Sequence, residues 1–189
     1  MNLRNMMYVS LLAAVVAVLG ILPPITLPIT PVPITAQTFG VMLAGALLGA
    51  KRGGLSLLIF VLLVAVGAPI LSGGRGGLGV LIGPSGGYVL SWPIAAFIIG
   101  YLVEKSWNHL SLWKMVLFNM IGGVIVVYAC GITYLSMVSD LTWAQAAISA
   151  LAYIPGDLIK AVLSGTIALQ IHKAYPLIQK EDSSMKHAS

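Results

Sequence analysis

Charge is what this chain has least of. Only 8% of its 189 residues are Asp, Glu, Lys or Arg, against about a quarter in a typical soluble domain. Hydrophobic residues make up 59%, and the mean hydropathy is +1.00. So little polar surface excludes a water-soluble domain and calls for an integral membrane protein of several spans. Cysteine is nearly absent. The single Cys130 excludes an intramolecular disulfide and argues against a cysteine-based metal site, and it reads as a small apolar packing residue. The three histidines, His109, His172 and His187, lie scattered near polar segments and make no metal constellation. No basic patch interleaved with aromatics suggests nucleic acid as a partner. No G-x-x-x-x-G-K-[ST] run is present, so this chain should not hydrolyse ATP.

What is there is a series of apolar runs. A span needs roughly 20 apolar residues. The first run covers 7–22; Arg4 before it resembles the start of a signal peptide, but no A-x-A cleavage site follows and further spans do. Half of the chain's prolines fall in "PPITLPITPVPITAQ", 23–37, which reads as an extended loop. Helices are expected over 38–50 and 55–67, joined by a tight "KRGG" turn at 51–54. A glycine-rich loop follows, then a helix over 87–103, a polar connector at 104–114 and a helix over 115–138. Residues 141–173 are too long for one span. Pro155 suits a first helical turn, so a span is expected over 155–172 and a short interfacial helix over 142–152. Those 18 residues reach about 27 Å at 1.5 Å per residue, enough to cross.

The fold class expected is therefore an all-α membrane protein of six transmembrane helices, residues 1–175, with a short polar tail at 176–189. Charge tests the count. Arg4, Lys51, Arg52, Lys105, Lys114, Lys173, Lys180 and Lys186 fall on one side, and Arg75 alone falls on the other. The positive-inside rule makes the first side cytoplasmic, with both termini there.

The outer side then holds three non-helical segments: the proline loop, "GGRGGLGVLIGPSGGY" at 73–88, and the stretch 140–154. Non-helical backbone near membrane depth is buried in protein or lines a cavity. Eight glycines in 73–88 let backbone approach a ligand and offer free amides; as a glycine loop alone, the stretch is equally a plain connector. In "PGDLIK", Asp157 and Lys160 stand three apart and share a helix face near the outer boundary. Ionisable residues in a span mark a functional site by default; the plainer alternative is a buried ion pair that only fixes packing. Ala13 and Ala17, with Ala14 beside them, offer a small-residue face for another membrane protein, or ordinary internal packing.

These residues resemble the BioY family, the biotin-specific S-components of energy-coupling factor (ECF) transporters. The likeness covers nearly the whole chain and rests on "PVPITAQ" (31–37), the 73–88 glycine signature and "PGDLIK". Ser85 stands where a threonine is expected, a change that keeps the hydroxyl. The resemblance implies an ECF S-component-like fold in a prokaryotic cytoplasmic membrane, taking biotin from outside with no cofactor and no metal. It also implies partnership with an energizing module of two ATPases and a transmembrane coupling protein, met through the Ala13/Ala17 motif. In such a site Asp157 accepts from the ureido N–H of biotin, and Lys160 balances Asp157 and donates nearby. Gln37 bonds the ring, Arg75 or amides near Gly74 and Gly77 hold the valerate, and Tyr88 and Trp92 supply apolar walls. Three rivals stand beside this reading. An S-component for another vitamin would share the fold. An intramembrane serine protease is suggested by "GPSGG", but it needs a base near Ser85, and every histidine is expected a bilayer away. A purely structural subunit would leave Asp157 and Lys160 unexplained.

Overall fold

The structure is a computed structural model that describes residues 3–175 and Ile178. The expected tail at 176–189, with Lys180, Lys186 and His187, otherwise lies outside the described residues. Helix α1, Leu3–Leu19, stops just before Pro23 and Pro24, which cannot continue a helix. The proline segment is not a plain loop. It folds into an antiparallel hairpin of β1 (Ile25–Leu27) and β2 (Thr30–Ile34), with Ile25 opposite Ile34 and Leu27 opposite Thr30. With two strands only, both are edges, where proline is tolerated. Alternation along β2 buries Thr30 and Val32 and exposes Pro31.

Helix α2, Gln37–Ala65, is broken at Gly49, whose φ of 79° lies in the left-handed region. The break is a reversal. A Cβ placed on Gly53 would lie 2.8 Å from the Ala44 carbonyl oxygen and 3.0 Å from the Gly45 Cα. In a straight helix those residues would be about 12 Å apart along the axis. The two expected helices are thus the arms 37–48 and 50–65 of one hairpin. Its turn falls at Gly49, and 51–54 is already helical. Glu104 completes the turn from the end of a later helix: the Ala50 amide donates to its Oε1 at 2.9 Å, capping the second arm with a carboxylate.

The glycine loop leads to the short helix α3, Leu78–Ile82. Helix α4, Gly86–Lys105, runs through the middle of the bundle. Both arms of α2 lie close on it, because Gly45 meets the Ala96 carbonyl, Gly54 meets Pro93 and Gly100 meets Gly49. Helix α5 (Leu112–Met120) continues through a π-helical stretch, Ile121–Val126, into α6 (Val127–Val138). The π stretch holds Gly122 and Gly123, where a Cβ would meet the Ala95 carbonyl at 2.7 Å and Met42 Cε at 2.5 Å. A capping box of Thr142 and Gln145 starts α7, Trp143–Ala150. A 3₁₀ turn, Leu151–Tyr153, then leads into α8, Ile154–Ala174, with Pro155 in its first turn.

Four of these helical stretches are long and apolar enough to cross a membrane, and α1 is a shorter apolar helix. Counting both arms of α2, the helices are α1, two arms, α4, α5–α6 and α8: the six expected. Contacts sort the polar residues by end. At one end Arg52 donates to Asn5, Glu104 receives Ala50, and Trp107 lies edge-on to His172 at 4.8 Å. At the other lie the β-hairpin, the glycine loop and the start of α8.

Gly100→Ala should therefore be costly, since its Cβ would sit 2.2 Å from the Gly49 carbonyl carbon. Thermal unfolding in detergent should show a loss of about 1–3 kcal/mol. Gly79→Ala, with nothing within 4 Å of the added methyl, should be neutral or slightly stabilising.

Candidate functional site

The first turn of α8 places Asp157 and Lys160 on one face, and they form an ion pair of 2.9 Å. Asp157 is 4% exposed. Its Oδ1 accepts from Lys160 Nζ and, at 3.3 Å, from Thr38 Oγ1; its Oδ2 accepts from the Tyr128 hydroxyl at 2.7 Å. The ammonium of Lys160 also donates to the Thr35 carbonyl at 2.7 Å and to Thr38 Oγ1 at 2.9 Å. All three of its protons are therefore taken by the protein. A carboxylate has about four lone-pair positions; three are filled here, and one on Oδ2 has no partner among the described residues.

Above this pair lies a cleft of about 600 Å³, counting the space at its mouth. The hairpin contributes Val32 and Ile34, α4 contributes Tyr88, Val89 and Trp92, and α6 contributes Val127 and Tyr128. Tyr88, Tyr128 and Tyr153 make a three-ring cluster with centroids 6.1–6.5 Å apart, all edge-on. Tyr153 donates to the Val32 carbonyl at 2.9 Å, so its contact with Thr30 has the Thr30 hydroxyl as donor. That pair pins the β-hairpin to the start of α8. Gly131 makes room for Tyr88, because a Cβ there would sit 2.4 Å from the ring.

Of the residues singled out from sequence, Asp157, Lys160, Gln37, Arg75, Tyr88 and Trp92 all line this cleft. Gln37 does so in a different capacity from the one expected. Its amide nitrogen donates to the Val16 and Ile70 carbonyls, both at 3.0 Å, and its Oε1 accepts from the Ser72 amide and hydroxyl. Every position of the amide is used, so Gln37 braces the glycine loop against α1 and has nothing left for a ligand. Arg75 stands in that loop. Its Nε donates to the Ser72 carbonyl at 3.1 Å, and its backbone pairs with Leu71 across Gly73 and Gly74. Gly74 and Gly77 do not line the cleft; positive φ values of 68° and 88° shape the loop there.

Two further expectations need correcting or placing. Ala13 does not present a docking face: it is 5% exposed and packs in the core with Leu12 and Val16, while Ala17 is partly buried against it. The exposed side of α1 carries Leu11, Ala14 and Val18 instead. Residues 11–19 are all apolar, which hides the facing from the sequence. Ser85 lines the cleft, but His172 lies at the far end of the bundle, donating from Nε2 to the Ala46 carbonyl at 2.7 Å. His109 lies in the 3₁₀ turn after α4, at that same end. No histidine among the described residues reaches Ser85 as a base. Thr38, Tyr128 and Tyr153 were missed from sequence. They are brought together from three elements, and no spacing links them.

A helical membrane bundle with a polar-floored cleft at one end defines a membrane protein that binds a small ligand from one face. The BioY family model matches residues 1–177, and the chain belongs to the BioY family. It is 46% identical over 183 residues to the biotin transporter BioY of Rhizobium etli, covering 94% of this chain and 98% of that protein. It is 44% identical over 177 residues to the probable biotin transporter BioY of Bacillus subtilis, covering 94% and 95%. Among solved structures, the S-component for biotin from an ECF-type ABC transporter superposes with a TM-score of 0.87 at 37% identity, covering 90% of this chain and 91% of that one.

The ion pair makes a prediction of its own. Lys160→Met leaves the Asp157 carboxylate buried without its cation and should lower stability by about 3–5 kcal/mol. The double variant Asp157→Asn/Lys160→Met should recover part of that loss, which thermal unfolding of both proteins in detergent would measure.

Proposed function

We propose that this chain is the biotin-binding S-component of an ECF-type uptake transporter, taking biotin through the cleft between the β-hairpin, the glycine loop and the start of α8. The observation that carries the reading is the open acceptor position on Asp157 Oδ2, on the wall of a mostly apolar cleft, in a chain of the BioY family. Biotin has a ureido ring with two N–H donors and one carbonyl, an apolar thioether ring and a carboxylate tail. One ureido N–H donates to Asp157. Lys160 holds the carboxylate charged and in place; its protons are already engaged, so it reaches a ligand only by exchanging one of those bonds. Arg75 sits at the mouth, and its terminal guanidinium nitrogens bind no other described residue. It is the group that meets the valerate carboxylate by charge.

The basic end of the bundle faces the cytoplasm under the positive-inside rule, which puts the cleft on the outer face of a prokaryotic cytoplasmic membrane. No phosphate-binding ATPase motif occurs in the chain. The power therefore comes from an energizing module of two ATPases and a transmembrane coupling protein. Binding needs none of these partners and no cofactor.

Titration calorimetry of the detergent-solubilised protein should give saturable, near-stoichiometric binding of biotin and none of riboflavin or thiamine. A folded protein that takes up no biotin would sink the substrate assignment. Asp157→Asn should weaken biotin by more than about tenfold, since a hydrogen bond to a charged group is worth roughly 1.5–3 kcal/mol. Ala13→Trp should impair folding together with complex formation, because Ala13 is inside the bundle.

A further inference from the structure

Two residues that line the cleft carry donors with no partner among the described residues. The Tyr88 hydroxyl and the Trp92 indole N–H are both buried, and neither makes a hydrogen bond within the described residues. The residues themselves are 7% and 4% exposed and both line the cleft. Buried donors left unpaired are costly and uncommon. Neither ring is positioned to relieve the deficit by turning away. Tyr88 is wedged against Gly131 and lies edge-on to Tyr128 and Tyr153, and Trp92 packs on Phe60 with centroids 5.7 Å apart. They stand four residues apart on α4, so they share one face of the helix. An indole N–H can only donate. The missing partner of Trp92 is therefore an acceptor, and the cleft that both residues line is where a ligand would bring one.

We propose that Tyr88 and Trp92 are specificity-determining donors that together bind the ureido carbonyl oxygen of biotin. The proposal rests on the biotin reading above and gives these two residues a polar role beyond that of walls. The chemistry of the ligand supplies what the site lacks. A urea carbonyl is the one strong acceptor on the bicyclic end of biotin, and its oxygen carries two lone pairs, enough for both donors. Lys160 does not compete for it, because its three protons are held by Thr35, Thr38 and Asp157. The two sides of the cleft then read opposite faces of one group: Asp157 accepts an N–H, while Tyr88 and Trp92 donate to the C=O. A ligand that keeps the ring shape but replaces the oxygen with an N–H group would confront these donors with another donor.

The test compares biotin, desthiobiotin and 2-iminobiotin on the full chain in detergent at neutral pH. Desthiobiotin keeps the urea and loses the sulfur; protonated 2-iminobiotin keeps the bicycle and loses the acceptor. The unmodified protein should prefer biotin to 2-iminobiotin by about a hundredfold or more and should discriminate far less against desthiobiotin. Tyr88→Phe, which retains its ring contacts, and Trp92→Phe, which keeps an aromatic ring beside Phe60, should each weaken biotin by about tenfold and narrow the biotin to 2-iminobiotin ratio by a similar factor. A loss of biotin affinity with that ratio unchanged would mean a merely structural role and would overturn the proposal. So would unmodified protein that binds biotin and 2-iminobiotin equally, a result that needs no variant to fold. If the unmodified protein binds no biotin at all, the functional reading itself fails, and this inference with it.

Discussion

The ion pair of Asp157 and Lys160 is the constraint around which the outer half of the molecule is arranged. A charged pair at membrane depth is tolerated only when its remaining hydrogen-bonding positions are satisfied. Satisfying them draws in the carbonyl of Thr35, the hydroxyl of Thr38 at the head of α2, and the phenol of Tyr128 on α6. Two segments far apart in sequence, the head of α2 and α6, thereby meet at the first turn of α8. Tyr153 then ties the β-hairpin to the same turn. The cleft forms because these ties gather polar groups on one wall and leave apolar side chains facing them.

Glycine sets the rest of the architecture by permitting contact between backbones. Gly45, Gly54 and Gly100 let both arms of α2 lie directly on α4. Gly122 and Gly123 do the same for the π-helical stretch between α5 and α6. In a bilayer the lipid tails are as apolar as the side chains, so helices are held together by close packing and not by flight from water. Gly49 is different. It is needed for its positive φ, and the Glu104 carboxylate fixes the turn it makes.

Much of this was legible in the sequence. Length, hydropathy and the distribution of basic residues yielded six helices, and the paired Asp157 and Lys160 pointed to the site because such residues are rare in spans. The turn at Gly49 was misplaced by two residues, since "KRGG" looks more like a turn than "LGAK" does; Glu104, which decides the matter, lies 54 residues away. The hairpin within the proline segment depends on a pairing that prolines usually discourage. Gln37 was read as a ligand group because its residue type fits, but its partners at Val16, Ile70 and Ser72 exist only after folding. Ala13 illustrates the same limit: in an apolar helix, composition does not say which side meets lipid.

The first arm of α2 is almost wholly enclosed by protein, with 40–50 buried throughout. Hydrophobic mismatch is a relation between a helix and the lipid around it, and a helix that meets no lipid is exempt from it. The arm 37–48 can therefore be about 18 Å long at 1.5 Å per residue, well short of a hydrocarbon core of about 30 Å. It begins at the cleft and ends at the opposite face. The stretch of protein beneath a molecule resting in the cleft is correspondingly short, little more than half the thickness of a hydrocarbon core, so such a molecule already stands somewhat less than halfway across.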